Sequence, residues 1–225
     1  MPNPIKLKCR IRKIISYGEE IYQVFFDSDR EIKFKPGQFL HLTLDEYDYS
    51  SGYWPESRVF STASLPGSRE IEIVYSVKGV YTKRMSDELK EGREVWVKLP
   101  YGDFIIENYV KEEDDVFLIA GGTGISPFIS FLKKNVSNLK FKIHLYYGIR
   151  GEKFYLYREF LESIRNKIDL KVIVGMMDID KVVEEIKIYD RSKYFISGPP
   201  LMIENFKNKF LLNGIRNERI IIDEW

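Results

Sequence analysis

The feature that most constrains this chain is the run Val116-Phe-Leu-Ile-Ala-Gly-Gly-Thr-Gly-Ile-Ser-Pro127. Its first five residues are apolar and too few to span a membrane, so they predict a strand buried on both faces of a parallel sheet, near the centre of that sheet. Gly121, Gly122 and Gly124 permit a sharp turn or the close approach of a ligand. Pro127 suits the first turn of a helix, where its missing N–H costs nothing. The run predicts a strand, a tight turn and a helix in succession.

This turn has the chemistry of an anion site. A helix N-terminus presents unpaired N–H groups and the positive end of the helix dipole. The candidate contacts are Gly122, Thr123, Gly124, Ile125 and Ser126, two of which carry hydroxyls. The spacing matches neither G-x-G-x-x-G nor a P-loop, since no lysine follows. Two interpretations therefore stay open: a pyrophosphate site, or glycines that only allow close packing of strand and helix.

Length and charge narrow the class of protein. A chain of 225 residues has room for two domains. Its 35 basic and 34 acidic residues leave a net charge of +1, which argues against nucleic acid or an anionic membrane surface as a partner. No apolar run approaches the ~20 residues of a membrane span, and the first residues lack the apolar core of a signal peptide. We expect a cytoplasmic protein without membrane insertion.

Cysteine and histidine are scarce. A single cysteine, Cys9, can form no internal disulfide and cannot hold an iron–sulfur cluster. His41 and His144 lie in separate strand-like runs, and we interpret both as packed strand residues. The sequence therefore predicts no metal site.

The first half of the chain has β-type patterning. Apolar residues alternate with polar ones in short segments separated by turn signals such as Pro36-Gly37 and Pro66-Gly67. The segments contain Leu7, Cys9 and Ile11; Val24 to Phe26; Phe39, His41 and Thr43; Ile71, Ile73, Tyr75 and Val77; and Val95 and Val97. This spacing indicates an antiparallel barrel or sandwich, interrupted by one helix for which Thr82 is the expected N-cap. Asp45 to Ser57 is an aromatic, turn-rich loop, either functional or a mobile surface excursion.

The second half alternates strands with helices. Beyond the central strand, we expect strands at Phe141 to Tyr147, Leu170 to Val174, Tyr194 to Ser197 and Arg219 to Ile222, and helices from Pro127, around Tyr155 to Arg165, Lys181 to Ile188 and Leu201 to Asn213. This order is typical of a doubly wound α/β domain with a parallel sheet. The charged run Lys111 to Asp115 marks the boundary, so the predicted domains are residues 1–110 and 111–225.

Four short motifs occur in order along the two halves: Arg58-Val-Phe-Ser-Thr-Ala-Ser64, Gly79-Val-Tyr-Thr82, Gly121-Gly-Thr-Gly-Ile-Ser-Pro127 and Ser197-Gly-Pro-Pro-Leu-Met202. With them the chain resembles the ferredoxin–NAD(P)H reductase superfamily from about Leu7 to Trp225. The resemblance implies an antiparallel flavin-binding β-barrel followed by a doubly wound nucleotide-binding domain. Hydride would cross from the nicotinamide of NAD(P)H to the flavin.

The resemblance assigns the flavin contacts to the barrel. They are Arg58, Val59, Phe60, Ser61, Thr62, Tyr75, Val77, Gly79, Val80, Tyr81 and Thr82. The Arg58 fork suits a flavin phosphate, and Phe60 can lie flat against the ring where the family usually has tyrosine. Ser61 matches the serine near flavin N5 and is a catalytic candidate. FAD is favoured over FMN because the helix start at Gly79 suits a pyrophosphate.

On the nucleotide domain the resemblance adds Ser197, Gly198, Pro199, Met202 and Arg150 to the glycine turn. Ser197 stands where many relatives have cysteine beside the nicotinamide, and Trp225 is expected to cover the flavin; both are catalytic candidates. Asp223 and Glu224 are candidates for an acid near the ring. Arg150 and Lys153 suit the 2′-phosphate of NADPH, whereas Glu152 suits the free 2′-hydroxyl of NADH, and on this balance we expect NADH.

The implied function is a flavin-dependent reductase that accepts hydride from NADH or NADPH and passes electrons to a ferredoxin-like protein carrier or a small acceptor. Because the chain has no cysteine cluster, any iron–sulfur partner must be a separate protein. Two alternatives stay open. One is an NAD(P)H-dependent reductase of free flavin, and the other is an electron-transfer subunit without independent turnover.

Overall fold

The structure, a computed structural model, describes residues 3–18, 20–186 and 191–223. Six antiparallel strands form the first sheet: β1 (Ile5–Ser16), β2 (Ile21–Asp27), β3 (Phe39–Thr43), β4 (Arg58–Ser61), β5 (Glu70–Ser76) and β6 (Glu94–Tyr101). They lie in the order β4-β3-β6-β1-β2-β5. Just after β4, the N–H of Ala63 donates to the carbonyl of Glu72 in β5 at 2.8 Å, so the two edge strands meet. The predicted antiparallel barrel is confirmed as a nearly closed one.

Alternating side chains place the barrel core. In β1, Leu7, Cys9 and Ile11 are buried while Lys8 and Arg10 between them are exposed, as the pattern predicts. The expectation for β3 needs a correction, because the residues that enter the core there are Leu40 and Leu42.

Phe39 and His41 instead pack with Tyr101, whose ring lies 5.7 Å from that of Phe39 and 4.7 Å from that of His41. Burial lowers the pKa of His41, and Lys98 adds to the effect. Apolar residues occupy both faces of β3, so alternation alone does not identify the core side.

A helix, α1 (Val80–Glu88), connects β5 to β6. Its N-cap is Gly79, so the prediction of Thr82 as the N-cap is wrong. Thr82 lies in the first turn, and its hydroxyl accepts the N–H of Gly79 at 3.1 Å and that of Lys78 at 2.9 Å. The Thr82 hydroxyl thus accepts hydrogen bonds from the two N–H groups that precede the helix. Met85 is fully buried, as expected for the core-facing side.

Five parallel strands form the second sheet: β7 (Asp115–Gly121), β8 (Lys142–Ile149), β9 (Asp169–Val174), β10 (Ser192–Ser197) and β11 (Ile220–Ile222). Their order is β11-β10-β7-β8-β9. The connecting helices are α2 (Ser126–Asn135), α3 (Arg158–Ser163), α4 (Ile179–Ile186) and α5 (Pro200–Leu212). β7 is central and its residues 116–120 are fully buried, which confirms the parallel α/β prediction.

Some predicted bounds shift. The helix expected from Tyr155 begins only at Arg158, because Tyr157 adopts a left-handed conformation with φ of 58°. For α4 the predicted end at Ile188 lies outside the described residues. Across residues 3–18, 20–186 and 191–223, no helix combines the length and apolar character needed to cross a bilayer.

The chain divides into two compact units. One comprises the described residues of Met1–Ile105 with Ser126–Lys134, and the other those of Ile106–Ile125 with Asn135–Trp225. Most of α2 thus belongs with the barrel. Ser130 Oγ donates to the carbonyl of Ser64 at 2.7 Å, and Lys133 Nζ donates to that of Ala63 at 3.0 Å. The division into independent domains at residue 110 stays a prediction.

Candidate functional site

In the barrel unit, Arg58 lies beside the start of α1. Its guanidinium bonds Glu56 Oε1 and the carbonyl of Ser57, each at 2.9 Å, and stacks 4.6 Å from the ring centre of Tyr81. Tyr81 is the second residue of α1 and is buried. The stacking therefore holds a permanent cation next to a helix N-terminus.

The helix start offers further anion donors. The first N–H to bond within the helix region is that of Lys83, which donates to the carbonyl of Gly79 at 2.9 Å. In the described part of the chain, the N–H groups of Val80 and Tyr81 have no acceptor. Two free donors, the helix dipole and the Arg58 cation together could hold a phosphate, which would replace Glu56 as the partner of Arg58.

Tyr81 fixes this helix start to the barrel. Its hydroxyl donates to the carbonyl of Leu42 at 2.9 Å and accepts the N–H of Leu44 at 3.2 Å. Burial is the main cause that raises the pKa of this hydroxyl, so it stays protonated and keeps donating. The anion site is therefore preorganised by β3 and the loop that follows it.

Along β4, Phe60 and Ser61 follow Arg58. Phe60 packs against the barrel core, with its ring edge-on to that of Tyr75 at 6.1 Å. Ser61 is half-buried, and its hydroxyl has no hydrogen bond to any residue that the structure describes. A free hydroxyl beside a half-exposed aromatic ring fits the edge of a planar cofactor.

Four other predicted flavin contacts form contacts within the barrel itself. Thr62 Oγ1 donates to the carbonyl of Gln38 at 2.7 Å and is buried. Tyr75 is buried and stacks on Tyr22 at 5.2 Å. Val59 pairs with His41 across the sheet, and Val77 packs on the barrel core. These positions support the barrel, and their roles as flavin contacts stay predictions.

In the second unit, the strand order identifies the binding edge. From β7 the chain runs outward through β8 and β9, and then on the other side through β10 and β11. The order therefore reverses between β7 and β10, and open α/β sheets bind ligands at the carboxyl ends of strands at such a switch point. A 3₁₀ turn, Gly122–Ile125, follows β7, and Gly198 and Pro199 follow β10. Both sequence motifs thus lie at the switch point.

The glycines of this turn have different tasks. A Cβ on Gly124 would lie 2.4 Å from the carbonyl oxygen of Ser197, and one on Gly121 would lie 2.6 Å from Met202 Sδ. These two glycines let the two turns pack directly together. Gly122 has a φ of +54° and no atom within 4 Å of its Cβ position, so it faces open space. Close packing therefore explains Gly121 and Gly124, while a pyrophosphate site at Gly122 stays a prediction.

Two hydrogen bonds hold the turns in place. The Tyr147 hydroxyl, from β8, donates to the carbonyl of Gly122 at 3.1 Å. The sequence suggested no role for Tyr147, because it lies inside an apolar run. At the end of β10, Ser197 Oγ donates to Asp223 Oδ2 at 2.8 Å, and both residues are buried. Asp223 thus lies against the candidate catalytic Ser197, while Glu224 and Trp225 lie outside the described residues.

The remaining candidate, Arg150, follows β8 directly and is exposed. Its guanidinium lies 5.1 Å from the ring centre of Phe154. It thus lies at the carboxyl edge of the parallel sheet, next to the strand that carries the glycine turn.

Comparisons with known proteins agree with this architecture. Residues 118–208 match the family model of the oxidoreductase NAD-binding domain. The chain is 28% identical to the NAD(P)H-flavin reductase of Vibrio harveyi, over 97% of this chain and 98% of that protein. It is 30% identical to a probable dihydroorotate dehydrogenase B (NAD(+)) electron transfer subunit of Methanocaldococcus jannaschii, over 87% of this chain and 70% of that protein.

Longer relatives also match. The chain is 28% identical to the flavohemoprotein of Rhizobium meliloti over 83% of this chain, but it spans about half of that relative, 51% of its length.

The same fold occurs in a solved ferredoxin NADP⁺ reductase from Neisseria gonorrhoeae, with a TM-score of 0.80, 16% identity, and coverage of 96% of this chain and 97% of that one. The barrel, the parallel sheet and the sequence relatives lead to one conclusion: the chain belongs to the ferredoxin–NAD(P)H reductase superfamily of flavin- and NAD(P)-binding oxidoreductases.

Proposed function

We propose that this chain is a flavin-dependent oxidoreductase that accepts hydride from NAD(P)H and passes electrons to a protein carrier or a small acceptor. The observation that carries the proposal is the convergence of Arg58 with the free N–H groups of Val80 and Tyr81. A cation and a helix N-terminus side by side suit the pyrophosphate of FAD better than the single phosphate of FMN. The neighbouring Phe60 and Ser61 suit the flavin ring.

The second unit supports the proposal that NAD(P)H is the hydride donor. Gly122 offers open backbone at the switch point of the sheet, where a dinucleotide pyrophosphate binds in such folds. The bound flavin would supply the redox chemistry. The protein's own residues bind and orient, and Ser197, held by Asp223, presents a fixed hydroxyl at the reacting edge.

The electron acceptor is proposed by analogy to relatives. The propane 2-monooxygenase reductase component of Rhodococcus jostii is 28% identical over 86% of this chain. That relative is named as the reductase component of a monooxygenase. We propose that this chain likewise reduces a separate redox protein.

Phe60 favours a second candidate, the reduction of free flavin. Phenylalanine has no hydroxyl, so this position cannot bond a flavin side chain, which weakens retention of the cofactor. The Vibrio harveyi relative is named as a flavin reductase. In this alternative, flavin binds as a substrate and leaves after reduction.

The test is reconstitution of the purified chain with FAD, followed by gel filtration and an assay of ferricyanide reduction by NADPH and by NADH. The proposal predicts flavin that stays with the protein and reduction that depends on a nicotinamide dinucleotide. Turnover with flavin lost on the column would indicate the free-flavin alternative. Retained flavin without turnover would indicate an electron-transfer subunit that needs its partner.

A further inference from the structure

The outer edge of the parallel sheet is an interaction surface, and we propose that it pairs with the same edge of a second copy of this chain. β9 is the last strand on one side of the sheet, so within the chain it pairs only with β8. An edge strand presents N–H and C=O groups to which another strand can add. The proposal is independent of the proposed oxidoreductase function.

The hydrogen bonds around β9 show which of its residues point outward. The N–H of Gly175 donates to the carbonyl of Ile149 at the end of β8, at 2.8 Å. Backbone groups of successive strand residues point to opposite sides, so Val172 and Val174 direct theirs away from β8. In the part of the chain that the structure describes, the N–H and C=O groups of these two valines form no hydrogen bond. They are free to pair with a further strand.

One register of a second copy satisfies all of these groups. The carbonyl of Leu170, the next outward residue, already accepts a hydrogen bond from Arg165 Nη1 at 3.1 Å. A strand added in antiparallel orientation therefore pairs with Val172 and Val174 alone. A two-fold axis at Ile173 sets Val172 of each copy opposite Val174 of the other, and each such pair exchanges both of its hydrogen bonds. The edge is thus self-complementary in its backbone.

The side chains that meet in this register are β-branched and apolar. Val172 and Val174 line a groove of about 260 Å³ on the α3 side of the strand, and Val174 is 50% exposed. Pairing sets Val174 of each copy beside Val172 of the other, and Ile173 beside its own counterpart on the opposite face. Lys171 lies opposite Gly175, so no like charges meet. Such cross-strand pairs of β-branched residues stabilise a sheet.

The charges that border the groove complement those of a second copy. Glu162 and Arg165 form an ion pair at the end of α3, where Arg165 also bonds Leu170 at the amino end of β9. Glu152 and Arg158 form an ion pair at the start of α3, next to the carboxyl ends of the strands. All four line the groove. An antiparallel partner brings the first pair of one copy towards the second pair of the other, so each arginine meets a further carboxylate and no net charge opposes the contact.

This edge also lacks the usual protection against pairing. Edge strands that stay unpaired commonly carry a proline, a bulge or a charge that points outward. Residues 172–174 contain neither proline nor charge, and the pairing of β9 with β8 has no shift in register. Lys171 is engaged on the α4 side by Glu185. Met176, which follows the strand, is 96% exposed and extends the apolar surface.

The first test is analytical ultracentrifugation of the purified chain over a range of concentrations. We expect a reversible dimer with a dissociation constant of about 1–100 µM, because the contact is small. Val174→Lys should weaken the dimer at least about tenfold, whereas Val174→Thr keeps the β-branched shape and should stay within about threefold. The matched control is Leu212→Lys on α5, at a residue that is 83% exposed, and it should change nothing.

The second test locates the two-fold axis by cross-linking. Ile173→Cys sets one thiol of each copy directly opposite the other, close enough for a disulfide, so mild oxidation should give a covalent dimer. The native Cys9 is buried and does not compete. Lys171→Cys is the control, because its counterpart lies about four residues, or roughly 13 Å, along the paired strands.

A chain that stays monomeric up to about 1 mM would overturn the proposal and leave this edge to an extended segment of another protein. A dimer that Val174→Lys leaves intact would overturn it as well, since the copies would then meet through a different surface. Equal cross-linking of Ile173→Cys and Lys171→Cys, or of neither in a chain that dimerises, would contradict the pairing of β9 with itself.

Discussion

Replacing Lys133 with methionine should destabilise the barrel unit strongly. Lys133 Nζ lies 2.5 Å from Glu72 Oε2 and 3.0 Å from the carbonyl of Ala63. The Glu72 side chain is only 1% exposed, and its other oxygen accepts Gln23 Nε2 at 2.5 Å. Methionine matches the length of lysine without its charge, so the variant leaves a buried carboxylate without its counter-charge.

The structure sets the expected magnitude. Removing one partner of a buried ion pair costs about 3–5 kcal/mol. The Lys133 side chain is 23% exposed, so water replaces part of the lost interaction, and we expect the low end, about 3 kcal/mol. The double variant Lys133→Met with Glu72→Gln removes both charges, so it should lose only about 1 kcal/mol. The double variant should therefore be about 2 kcal/mol more stable than Lys133→Met alone.

The assay is urea unfolding followed by tryptophan fluorescence. Trp54 and Trp96 both lie in the barrel unit, so a Trp225→Phe background makes the signal report that unit alone. The matched control is Lys83→Met, because Lys83 is 58% exposed and pairs with the exposed Asp87; it should cost less than about 1 kcal/mol. The reasoning is refuted if the single and double variants at Lys133 lose the same free energy, or if Lys133→Met costs no more than the control.

Three further predictions concern the two units. Arg58→Gln should weaken FAD binding by about tenfold or more, measured by quenching of flavin fluorescence, because a charge-assisted bond to phosphate is lost. Gly124→Ala should lower the melting temperature more than Gly122→Ala, since only the Gly124 Cβ meets a backbone carbonyl. Burial raises the pKa of the Cys9 thiol to about 12, so native protein should resist thiol reagents at pH 8 and react only when unfolded; rapid native labelling would contradict this.

Local patterns in the sequence predict much of the fold. The strand, turn and helix of residues 116–127 follow from an apolar run, three glycines and a proline, and the structure has all three elements there. The change from alternating segments to strand–helix repeats predicts the antiparallel barrel and the parallel sheet. Both patterns are formed by residues that lie close together in the sequence. A single sequence is therefore enough to recognise them.

Local sequence patterns do not reveal contacts between side chains that lie far apart in the sequence. Nothing local to Ser130 or Lys133 indicates that α2 bonds residues 63 and 64 of the barrel unit. The sequence also presents Glu152 as an acid near a ribose, and it does not show that Arg158 forms an ion pair with Glu152. Likewise, the split of tasks among Gly121, Gly122 and Gly124 depends on how closely the turn after β10 approaches.

Anaerobic mixing of the FAD-loaded chain with one equivalent of NADPH or NADH tests the central claim most directly. The loss of oxidised flavin absorbance reports hydride transfer without any acceptor protein. The account predicts that bound flavin is reduced and that an equal amount of dinucleotide is oxidised. A chain that takes up no flavin, or bound flavin that stays oxidised with both dinucleotides, would contradict it.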